Sequence, residues 1–410
     1  MNTNIRSLHG GGIHLSLKQI TIWISIYGLL LFDSGYFFVS QGGIFLGLQI
    51  VFAFALVIFS GEKIRITNVV VLLLFFFFIT ASSVINGEPT RNLLVTSIEL
   101  LVSFLIAESI MNSDGAHVID ISRKILILIS IESIALYLIC LLRIDALSFL
   151  PVFHNSGEMP AYFAGLSFAY APRAYYVARN LGLFWEPGAF STYLLLALGC
   201  ELFVFSEHKK AVLVLMSIAI FTTLSTTGII CGLGLWIVFA FTNEKKKQGI
   251  LLTILLAIVI SVFVIASDRL PEYIRFSIFT KVRAIITGRS QDYQTVNTRM
   301  ESIILGLRLF FRNPVTGIGR GLDQLKEAMG NGTASCTPVN WFAQYGVFVG
   351  LLSLVGLVRA IRQHTRTTTQ MISLLVIALL SVSSEAFNYS PTIYFIVFYG
   401  LSVRKPCQEE

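Results

Sequence analysis

Residues Val69 to Ile79 read Val-Val-Val-Leu-Leu-Leu-Phe-Phe-Phe-Phe-Ile. Wound as a helix or drawn out as a strand, this stretch has no polar face. A segment that is apolar all round needs an apolar surrounding all round. With its flanks the apolar run extends from 67 to 86, and about 20 residues of helix cross the hydrocarbon of a bilayer.

The rest of the chain repeats this pattern. It has 410 residues, of which 55% are hydrophobic and 13% charged, with a mean hydropathy of +0.77. Soluble domains carry about 25% charged residues. Runs that can span lie at about 19–39, 44–60, 67–86, 92–111, 124–144, 188–206, 210–225, 227–242, 249–267, 340–361, 370–387 and 391–403. The expected fold class is therefore all-α: a polytopic membrane protein, residues 1–410 forming one integral membrane domain of about 12 transmembrane helices. The first run follows a short polar start and no small-residue cleavage site, so it reads as a retained span.

The net charge of +7 comes from basic residues scattered between apolar runs, as topology signals are. There is no clustered basic domain, so nucleic acid is not an expected partner. With both termini cytoplasmic, every inside loop carries at least two basic residues, such as Lys63 with Arg65 and Lys245 to Lys247. The opposite orientation puts most of them outside. The five cysteines have no metal-type spacing, which speaks against a zinc site or a disulfide framework.

That orientation leaves two long extracytoplasmic loops, 145–187 and 268–339, in which amphipathic helices are expected. Tyr273 to Ile286 and Thr298 to Arg312 both alternate apolar and basic residues and read as interfacial helices. Pro314 stops the second. Arginine stays charged and grips phosphate through a fork of donors. Arg173, Arg179, Arg283, Arg289, Arg299, Arg308, Arg312 and Arg320 are accordingly candidate anion ligands, with anchoring to headgroups as the plainer reading. Gly317, Gly319 and Gly321 allow backbone amides to approach a phosphate, although the pattern is weak without a preceding strand. Glu186, before Pro187 at a helix start, reads equally as an N-terminal cap and as a chemical group. His154 is the histidine of the outside loops, more readily a solvated residue than a base. No Asp-x-Asp pair lies in these loops, so no divalent-metal nucleotide-sugar site is expected. Asp33, Glu99, Glu108, Glu132 and Glu385 are costly in lipid and point to interhelical pairing or a polar cavity.

The order of motifs carries a resemblance. Arg179-x-x-Gly182-x-Phe184-x-Glu186-Pro187-Gly188 is similar to the signature segment of Wzy-type O-antigen and exopolysaccharide polymerases. Arg299 to Gly321 resembles the second signature of the O-antigen polymerase and ligase superfamily, and Asn340 to Gly350 resembles the segment after it. The resemblance implies a metal-independent glycosyltransferase without cofactor in the bacterial inner membrane. It implies undecaprenyl-pyrophosphate-linked oligosaccharides as donor and acceptor, and a chain-length regulator as a further partner. Carried over, Glu186, Arg179 and Arg299 become the catalytic candidates. Arg173, Arg289, Arg312, Arg320, Gly317, Gly319 and Asn340 become the substrate-binding ones. Ligases of the superfamily carry a histidine just before the asparagine that matches Asn340; here that residue is Val339, which favours a polymerase over a ligase. A lipid-linked sugar flippase is the reading from another class, but no internal repeat supports it.

Overall fold

A computed structural model describes residues 17–61, 63–110, 115–154, 160–170, 179–205, 209–242, 293–320, 336–365, 367–385, 387 and 390–402. The described part holds twelve α-helices. They are α1 (Leu17–Phe32), α2 (Tyr36–Ser60), α3 (Ile66–Ile85), α4 (Thr90–Ser109), α5 (Gly115–Arg143), α6 (Pro187–Phe203), α7 (Lys210–Thr222), α8 (Thr226–Thr242), α9 (Tyr293–Arg312), α10 (Thr337–Arg362), α11 (Thr368–Ser383) and α12 (Pro391–Leu401). Five long apolar stretches, in α2 to α5 and α10, can cross a membrane, and six shorter apolar helices accompany them. The chain is a multi-pass helical protein, as its apolar runs require. The expected run at 249–267 and the expected helix at Tyr273 to Ile286 lie outside the described residues, so twelve crossings stay an expectation.

Two boundaries differ from the reading of the sequence. The first apolar run, expected to continue to 39, breaks at Asp33. Gly35 takes a left-handed φ of 73° there and packs against Trp185. The expected break between the first two runs, residues 40–43, lies inside α2. In the first long loop the described residues form a short 3-10 turn and a three-stranded antiparallel sheet, not an amphipathic helix. Its strands are β1 (Val152–His154), β2 (Pro160–Phe163) and β3 (Phe168–Tyr170), in the order β1-β2-β3, with Val152 opposite Tyr162 and Tyr162 opposite Ala169. The sheet is held to the helices. Tyr27 donates to the Gly165 carbonyl, and the Glu132 carboxylate accepts from the Leu166 amide. Tyr36 of α2 stacks on Phe168.

The second loop contributes α9, which begins five residues before the expected Thr298. Phe310 meets Phe342 of α10 edge-on, and Gly306 lies against Val339. Past α9, residues 313–320 enter a break in α10. Gly346 has φ 80° and ψ −177° there, so the helical ladder is interrupted. The loop takes the place of the lost turn. Ile318 and Gly319 donate their amides to the Ala343 and Gln344 carbonyls at 2.9 and 2.8 Å, and Val347 donates to Pro314 at 2.8 Å. Ser82 Oγ of α3 also donates to the Gln344 carbonyl, and Asn86 Nδ2 to the Gly317 carbonyl.

A side chain does not fit this joint. A Cβ on Gly346 would overlap the Val315 carbonyl, and one on Gly317 the Gln344 carbonyl. Gly346→Ala is therefore expected to lose about 2 kcal/mol or more from overpacking and left-handed strain. Gly234→Ala in α8, where a Cβ meets open space, is the control. Thermal unfolding of the two variants in detergent checks the difference, with only Gly346→Ala melting several degrees early.

Candidate functional site

The turns α1/α2, α3/α4, α7/α8 and α11/α12 gather at one end of the bundle with the β-sheet, the start of α6 and the start of α10. The stretch Arg179 to Gly188 weaves through this end. Arg179 donates from Nε to the Thr223 carbonyl at 2.9 Å and from Nη2 to the Leu224 carbonyl at 3.1 Å. It thus clasps the α7/α8 turn, where Leu224 itself has a positive φ of 49°. Asn180 is buried, and its amide group donates to Thr222 and Ser133 while its oxygen accepts from Gly182 N. Gly182 stands at φ 55° with the Phe190 ring where a Cβ would be. The motif is therefore a folded strap rather than an open loop.

Glu186 occupies the N-cap position of α6 but makes no side-chain capping hydrogen bond. It is exposed, within electrostatic reach of the Tyr36 hydroxyl. Gly188, two residues on, has the Glu385 carboxylate against its Cα, in the space a Cβ would need. Glu385 is 8% exposed. Its carbonyl accepts from Thr337 Oγ1 at the start of α10, which in turn accepts from Phe387 N. Trp185 meets the Phe387 ring edge-on. The first signature stretch and the start of α10 thus share one wall.

Behind that wall Asp33 is 5% exposed. Its Oδ2 accepts from Tyr193 Oη at 2.6 Å, Ser390 Oγ at 2.7 Å and Thr392 N at 3.3 Å. One carboxylate oxygen ties the α1/α2 turn to α6 and α12. The expectation that the acids in apolar runs pair between helices holds here. It holds for Glu108 as well, which accepts from Asn68 of α3. Nothing in the sequence singled out Tyr193 or Ser390 as partners.

The candidate ligands divide into several groups. Arg173, Arg283 and Arg289 lie outside the described residues. Arg299 lies on α9, with only its backbone described. Arg312, in the last turn of α9, is exposed, as is Arg308 one turn earlier. Arg320 reaches into the α4 start, donating to Thr96 Oγ1 at 2.7 Å and to the Asn92 carbonyl at 3.3 Å, with Glu99 as an electrostatic partner. Asn340 is fully buried in the first turns of α10. The amides of Gly317, Ile318 and Gly319 are donated to Asn313, Ala343 and Gln344. Gly317 and Gly319 thus bring two peptide chains together, with their own amides engaged within the protein; Gly321 lies outside the described residues. Val339 packs on Gly306 of α9. His154 ends β1, exposed and paired with Pro160.

A comparison with known families bears on this end of the molecule. Residues 211–358 match the family described as O-Antigen ligase. This match supports the O-antigen polymerase and ligase superfamily. No curated protein and no solved structure matches the chain. The O-antigen ligase match covers α7, α8, α9, the 313–320 joint and most of α10. The Arg179–Gly188 strap lies just before it and is fastened to it through the α7/α8 turn. Members of such families are glycosyltransferase-like membrane enzymes working on lipid-linked polysaccharides.

The Asp33 cluster yields a test of the scaffold. In Asp33→Ala three buried donors lose their acceptor, each costing about 1–3 kcal/mol, and the protein is expected to melt markedly earlier. Asp33→Asn keeps an acceptor oxygen and is expected to fall between the wild type and Asp33→Ala. Thermal unfolding followed by tryptophan fluorescence reads both.

Proposed function

We propose that the chain is a polymerase of O-antigen or a related surface polysaccharide. In this reading it joins undecaprenyl-pyrophosphate-linked repeat units at the periplasmic face of the inner membrane, with both termini cytoplasmic. One observation carries the chemistry. Glu186 is a carboxylate at a helix start that is exposed and makes no capping bond, beside the start of α10, on which α9 packs.

The reaction needs a hydroxyl of the acceptor unit to attack the anomeric carbon of the donor. A new glycosidic C–O bond forms as the bond to the pyrophosphate breaks, and the hydroxyl proton passes to a base. Glu186 is the group assigned to orient or deprotonate that hydroxyl. Negative charge grows on the leaving pyrophosphate, and preorganised cations stabilise it best. Arg299 and Arg312, on one helix, are assigned to it, with Arg308 on the same helix available. Arg179 acts in this scheme mainly by holding the strap that carries Glu186. Arg320, Gly317, Gly319 and Asn340 hold α4, α9 and α10 in register. Donor energy comes from the lipid pyrophosphate, so no nucleotide or metal is required by the proposal.

The superfamily match alone suits ligase and polymerase equally. Val339, packed on Gly306 where ligases carry a histidine, supports the polymerase.

Purified protein given synthetic undecaprenyl-pyrophosphate-linked repeat units, without nucleotide or metal, is expected to produce a ladder of longer lipid-linked oligosaccharides. Transfer of one chain onto a lipid A-core acceptor without a ladder would establish the ligase instead. Movement of the unit across vesicles without elongation would establish a transporter. Glu186→Gln is expected to slow elongation about 100-fold, the lower range for loss of a general base. Its melting temperature should not change, because the carboxylate makes no capping bond.

A further inference from the structure

A cavity of about 210 Å³ opens among α1, α5, α6, α10, α11 and α12, and runs away from the candidate site. Leu29, Leu30 and Tyr193 bound it near the Asp33 cluster; Leu196, Ala197 and Cys200 follow along α6. From Tyr193 to Val204 it keeps beside one helix for about 16 Å at 1.5 Å per residue. That is about half of the ~30 Å hydrocarbon thickness of a bilayer, the depth of one leaflet. Its walls are almost wholly hydrocarbon. Apolar cavities of this size stay dry and take up apolar guests. In a membrane-spanning bundle the abundant guest is a lipid chain.

The far mouth is polar and basic. Arg123 and His364 line it. Arg123 is 7% exposed, donates from Nη1 to Glu201 at 2.9 Å and is paired with Asp120. Lys124 Nζ also bonds to Asp120, and Lys209 donates its amide to Glu201. Two acids therefore face Arg123 and Lys124 and balance them. Lys209 and Lys210 open α7 beside Glu201, and Arg359 and Arg362 flank the lining residues Ala360 and Ile361; all four are exposed, so these described groups around the mouth sum to a positive charge.

We infer that this cavity is a binding site for one anionic phospholipid of the leaflet opposite the candidate site. One acyl chain lies along α6, and the phosphate sits among the lysines and arginines at the mouth. This inference is independent of the polymerase reading. It concerns the other end of the bundle and no substrate group.

Native mass spectrometry of the full-length protein in detergent tests it. Phosphatidylglycerol, phosphatidylcholine and undecaprenyl phosphate are offered separately. One phosphatidylglycerol per chain is expected to survive detergent washing that strips phosphatidylcholine. Ala197→Trp or Leu196→Trp fills the cavity, and either one that remains monodisperse should retain at least tenfold less. Lys209→Glu with Lys210→Glu should erase the preference over phosphatidylcholine. Undiminished retention in a folded filled-cavity variant overturns the site. Equal retention of phosphatidylcholine by the wild type overturns the anionic headgroup. Retention of undecaprenyl phosphate but not phosphatidylglycerol replaces the phospholipid by a polyprenyl chain and overturns the assignment.

Discussion

The architecture depends on satisfying the backbone where α10 is broken. A helix interrupted inside a membrane bundle frees carbonyls and amides that lipid cannot satisfy. Here the 313–320 loop supplies them, with Ile318 and Gly319 donating into α10 and Pro314 accepting from it. Ser82 and Asn86 of α3 close the remaining side. The contact needs peptide planes in direct apposition, so glycine is required at 317 and 346 on both grounds, positive φ and absent Cβ. Through it the arginine-bearing helix α9 is held in register with α3, α4 and α10.

Legibility of the sequence followed the solvent. Long apolar runs such as Val69 to Ile79 can only be satisfied in one way, so helices and membrane class were readable from composition. Turns were harder, because glycine has two uses. The expected break at 40–43 sits in a helix, whereas Asp33-Ser34-Gly35 makes the turn because Asp33 has three donors waiting on α6 and α12. The β-sheet gave little signal. Its strands have three or four residues each, too few for alternation to stand out.

The glycine-rich loop shows the same ambiguity at the site. A loop that lets a phosphate near its amides and a loop that lets another peptide near them have the same composition. Only the partner distinguishes them, and it lies about 25 residues downstream, in α10. The buried acids were more informative. An acid in an apolar run must find donors, and Asp33 and Glu108 did so on neighbouring helices. Which donors they would find was beyond one-dimensional reading, since Tyr193 and Ser390 look ordinary in their own segments.

Arginine is used at this end in two ways, and the difference is where the donors point. A guanidinium has five N–H donors in a fixed fork. In Arg179 and Arg320 donors are directed at carbonyl and hydroxyl oxygens of the chain itself, which fixes loops that would otherwise move. Arg308 and Arg312 are exposed on α9. A site for a pyrophosphate needs both kinds. Charge stabilisation is effective only when the cations need not reorganise as the charge develops. The arginines that bind the protein supply rigidity of that kind, which the proposed pyrophosphate role of those on α9 requires.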